Sequence, residues 1–222
     1  MLELLKEEVI RIGRQAQRDG LCKHKAGNFS VMDRKTGYVV ITPSGIDREE
    51  LRPGDMVVID LDANVIEYKK GLRPSSEVLM HLAIYKARPD VTAIVHTHSR
   101  FATVFAVLGK EIPPLVNEMM MINNESQSIK VAPYGRAGTT LLAENVSAAL
   151  AHDDCALMSS HGAIAVDSES IENAYLKACY IEELAEVYHH TLTANGGKEP
   201  PVMPMEELQK WAYPEEIKFP ED

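Results

Sequence analysis

The chain has 222 residues, of which 45% are hydrophobic and 25% charged, the balance of a globular protein rather than a disordered chain. Its formal net charge of -10 argues against a nucleic-acid-binding module, whose surface must attract phosphates along a groove. Three widely spaced cysteines without a CxxC pair argue against a disulfide framework or a thiolate zinc site. The charged N-terminus is unlike a signal peptide, and every uncharged apolar stretch is far shorter than the roughly 20 residues of a membrane span. We therefore expect a soluble cytoplasmic protein with neither nucleic acid nor membrane as a partner.

The first third of the chain is predicted to be rich in strands joined by tight turns. Apolar periodicity predicts a helix over residues 2–19, a hairpin with strands at 29–32 and 38–42, and further strands at 56–61 and 65–68. Short turns of this kind favour antiparallel pairing over repeated crossover connections.

Helices and strands alternate in the rest of the chain. Helices are predicted at 76–88 with Ser76 as N-cap, at 99–108, at 139–151 and at 168–193, and strands at 91–96, 129–132, 155–159 and 163–166. Prolines at 200, 201, 204, 214 and 220 surround a short helix predicted at 206–211. These elements predict a single α/β domain over residues 1–197 and a proline-rich tail over residues 198–222.

Three histidines are candidate metal ligands. In a strand, His96 and His98 project from the same face with their Cα atoms about 6.6 Å apart. His161 follows an apolar strand, and the adjacent Gly162 is expected to allow a turn that directs the imidazole into a cavity. Histidines at these positions are equally consistent with ordinary surface or turn residues. His24, His81, His152, His189 and His190 are interpreted as structural or solvated, and the methionines at 119–121 as packing residues.

A carboxylate and two hydroxyls stand together where the helix at 76–88 is predicted to begin. Glu77 in this position favourably meets the helix dipole, which is a sufficient structural reason for its presence. The same terminus, with Ser75 and Ser76, also offers N–H and hydroxyl groups that suit a phosphate. Three neutral imidazoles and one carboxylate form a donor set typical of zinc or another divalent transition metal.

Five short motifs along the chain, taken together, resemble the class II aldolase/adducin family. They are Gly27-Asn28-Phe29-Ser30, Thr42-Pro43-Ser44-Gly45, Pro74-Ser75-Ser76-Glu77, His96-Thr97-His98-Ser99 and His161-Gly162. Their order and spacing match the family over roughly residues 5–195, and within it they are most similar to the bacterial L-fuculose-1-phosphate and related deoxy-ketose-1-phosphate aldolases. The resemblance implies a three-layer α/β/α domain with a central, mostly antiparallel sheet. It also implies a homotetramer with active sites at the subunit contacts.

The resemblance further implies a set of site residues. It places zinc on His96, His98, His161 and Glu77, and the substrate phosphate among Asn28, Ser44, Gly45, Ser75 and Ser76. The implied reaction is reversible cleavage of L-fuculose 1-phosphate or a 5-deoxy-pentulose 1-phosphate into dihydroxyacetone phosphate and a small aldehyde. Zinc would stabilise the enediolate as a Lewis acid, and Glu77 would move a proton. The phosphate is expected to be held by neutral donors, since the motifs contain no basic cluster.

Two further residues are candidate acid/base groups. An ungapped alignment puts Glu118 where the fuculose enzymes have a proton-donating tyrosine, so Glu118 is either its replacement or a surface acid. Tyr213 stands near the mobile C-terminal tyrosine of the family.

Other activities on the same scaffold remain open at this stage. They are an L-ribulose-5-phosphate 4-epimerase and a sugar-phosphate dehydratase or decarboxylase. A non-enzymatic adducin-like interaction module is a further alternative, although it would have no need of the three histidines and Glu77.

Overall fold

The computed structural model of the chain describes residues 2–122, 124–125, 127–208, 210 and 217. Its helices are α1 (Glu3–Arg18), α2 (Val78–Ala87), α3 (Arg100–Leu108), α4 (Thr140–Ala149), α5 (Ile171–Ala194) and α6 (Met205–Leu208). Its strands are β1 (Asn28–Asp33), β2 (Tyr38–Ile41), β3 (Val57–Ile59), β4 (Val65–Glu67), β5 (Ala93–Thr97), β6 (Val131–Ala132), β7 (Cys155–Met158) and β8 (Gly162–Asp167). Short 3-10 helices occupy Arg48–Glu50, Pro53–Asp55 and Asn117–Ile122.

All eight strands form one sheet in the order β4-β3-β2-β1-β5-β8-β7-β6. The neighbouring strands run antiparallel, except for the edge pair β6 and β7, which is parallel. Short loops join β1 to β2 and β3 to β4, and both pairs are antiparallel, as the turn-rich sequence predicts. The expected central, mostly antiparallel sheet is confirmed.

Helices cover both faces of this sheet. On one face, apolar side chains of α1, α3 and α5 such as Val9, Phe105 and Ile181 pack with alternate residues of the strands. On the other face, Ile84 of α2 and Val146 of α4 belong to a second apolar cluster. The two clusters follow from the alternation of side chains along buried strands. The three-layer α/β/α architecture is therefore confirmed.

A buried ion cluster fixes α5 to the sheet. The Lys177 ammonium donates to Asp154 at 2.7 Å and to Asp167 at 2.8 Å. Ser170 caps the start of the helix by accepting a hydrogen bond from the backbone N–H of Asn173 at 3.1 Å. The Lys177 contacts hold the longest helix against the ends of β7 and β8, and the Ser170 cap defines where the helix begins.

The predicted elements from residue 2 to residue 193 are all present, with shifted ends. Ser76 is not the N-cap of α2, because the preceding segment is extended and the Ser75 N–H donates to the Thr42 carbonyl at 3.0 Å. Glu77 takes the cap position instead, and its N–H donates to the Ser75 hydroxyl at 3.3 Å. The predicted helix at 206–211 appears as α6, but positions 209 and 211 lie outside the described residues. None of the helices in the described ranges is long and apolar enough to cross a membrane.

Candidate active site

Glu77, His96, His98 and His161 converge at one end of the central strands. His96 Nε2 lies 3.0 Å from His98 Nε2 and 3.1 Å from Glu77 Oε2. His161 Nε2 lies 3.2 Å from Glu77 Oε1. The three imidazole rings meet edge to face with centroids 4.8 to 4.9 Å apart, so their Nε2 atoms face a common centre.

Strand pairing brings these ligands together. β1 pairs with β5 so that Asn28 lies opposite His96, and β5 pairs with β8 so that Thr97 lies opposite Ala163. His98 follows the last residue of β5, whereas the sequence analysis placed it within a strand. Its imidazole still reaches the same centre, because the chain turns toward α3 only after this residue.

Gly162 is required for a reason other than the predicted one. The left-handed conformation in this turn belongs to Ser160, with φ 53°. Gly162 begins β8 beside β5, and a Cβ there would overlap the Thr97 carbonyl oxygen and lie 3.4 Å from His96 Cε1. The glycine therefore allows the two ligand-bearing strands to approach closely.

Hydrogen bonding and burial keep the imidazoles in a metal-binding form. His96 is fully buried and its Nδ1–H donates to the Ala163 carbonyl at 2.9 Å, which leaves the Nε2 lone pair directed at the centre. Burial lowers the pKa of His98 to about 4, and burial also lowers the pKa of His161. Neutral imidazoles are the form that binds a metal ion.

Glu77 is held as a carboxylate. Its Oε2 accepts a hydrogen bond from Asn28 Nδ2 at 2.8 Å, whereas its buried Oε1 receives none from the described residues. Burial alone would raise the pKa of Glu77, but the adjoining His96 and His161 and the Asn28 hydrogen bond outweigh it and lower the pKa. One oxygen is thus fixed by the protein and the other is open to a ligand.

The donor set fits a divalent metal ion. One ligand atom from each of the four residues lies within 4.8 Å of all the others. Tetrahedral zinc with ligand distances of about 2.1 Å needs ligand atoms roughly 3.4 Å apart, close to the 3.0 to 3.2 Å separations of neighbouring donors. The group of Glu77 and three histidines could therefore hold a metal.

A polar cleft of about 200 Å³ opens beside this cluster. It is lined by all five residues expected to bind phosphate, namely Asn28, Ser44, Gly45, Ser75 and Ser76, together with Glu77, His98 and His161. Ser44 N–H donates to the Arg73 carbonyl and Ser75 N–H to the Thr42 carbonyl, both at 3.0 Å. These bonds clamp two motifs that are about 30 positions apart in sequence against each other.

Two cations in this cleft were missed by the sequence analysis. Lys25 and Arg48 both line it, whereas the sequence analysis expected neutral donors alone. The groups that bind the phosphate stay a prediction. Arg48 is 2% exposed and donates to the carbonyls of Lys25, Ile46 and Gly27. It belongs to a 3-10 helix without a sequence motif, and only the fold brings it to the cleft.

Of the two acid/base candidates, the structure describes only Glu118, which does not line the cleft beside the histidines. Glu118 is exposed on the 3-10 helix Asn117–Ile122. It lines a separate cavity of about 530 Å³ with Met121, Tyr180 and Lys210. Tyr213 lies outside the described residues.

The sequence matches a known protein family over most of its length. Residues 7–189 match the family described as Class II Aldolase and Adducin N-terminal domain. The chain belongs to the class II aldolase/adducin family.

Several relatives align with this chain over most of the length of both proteins. It is 35% identical over 212 residues to the 5-deoxy-D-ribulose 1-phosphate aldolase of Bacillus thuringiensis serovar kurstaki, with 96% of this chain and 95% of that one covered. It is 36% identical to the 5-methylthioribulose-1-phosphate/5-deoxyribulose-1-phosphate aldolase of Rhodospirillum rubrum, with 93% and 88% covered. A solved L-fuculose 1-phosphate aldolase superposes with a TM-score of 0.84 at 36% identity, with 92% of each chain covered. The prediction of a class II, metal-dependent aldolase is confirmed.

Proposed function

We propose that the protein is a zinc-dependent aldolase that reversibly cleaves a ketose 1-phosphate into dihydroxyacetone phosphate and a small aldehyde. L-Fuculose 1-phosphate and 5-deoxy-pentulose 1-phosphates are the proposed substrates. The observation that carries the proposal is the position of the Glu77 and histidine cluster on the wall of a cleft with hydroxyls and two cations. A metal centre and an anion site in contact suit a phosphorylated sugar whose oxygens bind the metal.

Each residue of the cluster and the cleft has a role in this reaction. His96, His98, His161 and Glu77 would hold the metal, which when bound supplies Lewis-acid stabilisation of the charge that develops on C2 oxygen. The phosphate would be bound by the five cleft residues Asn28, Ser44, Gly45, Ser75 and Ser76. Ser44 and Ser75 would use their hydroxyls, because their N–H groups already donate to backbone carbonyls. Glu77, displaced from its ligand position by the substrate, would deliver a proton to C3 after the C3–C4 bond has broken, or remove it before that bond forms.

Glu118 is proposed to act as the acid/base at the C4 oxygen from a neighbouring subunit of a homotetramer. Its exposure on the surface, in a cavity away from Glu77, supports a role across a subunit contact. Tyr213 is proposed as a further catalytic residue of the same reaction.

The reaction is tested by following release of dihydroxyacetone phosphate with a coupled assay that consumes NADH. L-Fuculose 1-phosphate and 5-deoxyribulose 1-phosphate are compared with zinc-loaded protein, and the kcat/KM ratio ranks them. Glu77→Gln should lower kcat by at least about 100-fold, because it removes the base. If zinc-loaded protein releases nothing but interconverts L-ribulose 5-phosphate and its 4-epimer, the epimerase alternative is correct.

The role of Glu118 is tested by mixing two inactive variants. Glu118→Gln should lose turnover and keep its metal, because the residue lies outside the ligand cluster. Unfolding and refolding it together with Glu77→Gln should restore about a quarter of the sites if Glu118 acts across a subunit contact. Without recovery, each site needs both residues from one chain; full turnover of Glu118→Gln alone removes the residue from the mechanism.

A further inference from the structure

A continuous line of buried hydrogen bonds runs behind the cleft from α2 to Glu77. Tyr85 Oη lies 2.8 Å from Ser30 Oγ, which lies 2.6 Å from His81 Nδ1. His81 Nε2 lies 2.5 Å from Asn28 Oδ1, and Asn28 Nδ2 donates to Glu77 Oε2 at 2.8 Å. Every member is at most 5% exposed. The side chains of Tyr85 and His81 reach the Glu77 carboxylate through this line, and the His81 backbone N–H also lies 3.4 Å from the Glu77 backbone carbonyl.

The proton positions along the line follow from the chemistry of its members. A carboxylate only accepts, so Asn28 must present its NH₂ group to Glu77 and its carbonyl oxygen to His81. That carbonyl also only accepts, so His81 Nε2 must carry a hydrogen. In a neutral ring with its hydrogen on Nε2, Nδ1 accepts from the Ser30 hydroxyl, which lies 2.6 Å away. One arrangement of hydrogens satisfies both ring nitrogens.

Asn28 connects the two halves of the site. One N–H of its amide binds Glu77, which leaves the second N–H of the same nitrogen for an anion in the cleft that Asn28 lines. The amide can serve both purposes only while its oxygen is held on the opposite side. His81 is the residue that holds it there.

We propose that His81 is a positioning residue that, through Asn28, orients Glu77 for the metal and an amide N–H for the substrate phosphate. This inference rests on the proposed aldolase function, and it adds a buried residue that touches neither metal nor substrate. It also assigns a role to a histidine that the sequence analysis interpreted as merely structural or solvated. Loss of the His81 N–H should therefore weaken metal and phosphate binding together.

The matched test compares His81→Gln with His81→Met. Both side chains have similar length, but only glutamine places an N–H donor near the former Nε2. Outer hydrogen-bond partners of metal ligands typically contribute about 10- to 100-fold in affinity. His81→Met should lose about this factor in zinc affinity, measured by competition with a chelator, and should raise KM. His81→Gln should recover most of both losses.

Two further measurements separate positioning from a general loss of structure. The visible spectrum of the cobalt(II)-loaded protein should change in His81→Met and return in His81→Gln, because it reports the ligand geometry. In an Asn28→Ala background, exchanging glutamine for methionine at position 81 should change zinc affinity less than twofold, since the effect passes through Asn28. If His81→Met does not fold, Ser30→Ala, which removes the donor to Nδ1, should give an intermediate loss.

The outcomes distinguish a failure of the His81 inference from a failure of the proposed aldolase function. A wild-type protein that binds zinc but releases no dihydroxyacetone phosphate contradicts the aldolase proposal and leaves the metal arm of the His81 test intact. Equal zinc affinity, spectrum and KM in the glutamine and methionine variants would overturn the role of His81. An undiminished glutamine-to-methionine difference in the Asn28→Ala background would also overturn it, because the effect would then bypass Asn28.

Discussion

Replacing Gly162 by alanine should damage both the sheet and the candidate metal site. Gly162 precedes Ala163, which lies opposite Thr97 in the β5–β8 pair, and an added Cβ on Gly162 would overlap the Thr97 carbonyl oxygen. That oxygen belongs to the backbone between two of the histidines, so it cannot swing aside as a flexible side chain would. The strands must separate, and His96 and His161, which lie on opposite sides of the contact, must move apart with them.

The size of the effect can be worked from this overlap. Overpacking a rigid, buried position costs about 1–3 kcal/mol, and in a chain of this length each kcal/mol lowers Tm by about 2–4 °C. Gly162→Ala should therefore melt roughly 2–12 °C below the wild type. Metal–ligand distances must lie within about 0.2 Å of their preferred values, so a shift of a few tenths of an ångström should weaken zinc binding by about tenfold.

Gly54 provides a matched control for this substitution. A Cβ on Gly54 would meet no atom within 4 Å, and its backbone is not left-handed. Gly54→Ala should leave the metal affinity unchanged and should stabilise the fold slightly, by restricting the unfolded chain. Calorimetry and chelator competition on both variants test the reasoning. Equal Tm and zinc affinity in Gly162→Ala and Gly54→Ala would refute the close-approach argument.

Two further substitutions probe the buried charges. Lys177→Met should lower the free energy of unfolding by about 3 kcal/mol in urea, because Asp154 and Asp167 lose the cation between them. Burial alone would raise the pKa of Asp167, but Lys177 holds it below its usual value. The stability from this pair is thus present above about pH 4 and lost as the pH falls further. If the free energy of unfolding of Lys177→Met still declines with acid as it does in the wild type, this reasoning is wrong. Arg48→Met should raise KM about tenfold and change kcat little, because the loops that carry Lys25, Gly27 and Ile46 lose about 1.4 kcal/mol of positioning free energy. An unchanged KM would show that these loops keep their positions without Arg48.

The sequence patterns predicted which helices and strands are present more accurately than where each one begins and ends. Alternating and helical periodicity identified the hairpin of β1 and β2 and the long α5, because side-chain direction repeats at intervals set by the local backbone. The start of α2 was placed wrongly at Ser76. There the extended pairing of Ser75 with Thr42, a contact between distant segments, outweighs the capping preference of a serine.

The site residues also divide into those that the sequence motifs identified and those that only the structure shows. The motifs named Glu77 and the three histidines, and the structure brings these side chains within reach of one ion. They did not reveal His81, whose role depends on Ser30 and Asn28 in a neighbouring strand. They also missed Arg48, which reaches the cleft through a 3-10 helix with no recognisable motif.

The sequence by itself determined the family and the residue types available to a metal and an anion. Those features depend on short segments whose order along the chain is sufficient evidence. Tertiary structure decided which tautomer His96 presents, which oxygen of Glu77 is free and which buried histidine orients Asn28. These properties arise from hydrogen bonds between residues 49 to 67 positions apart, and such partners are set by strand register, which no local pattern specifies.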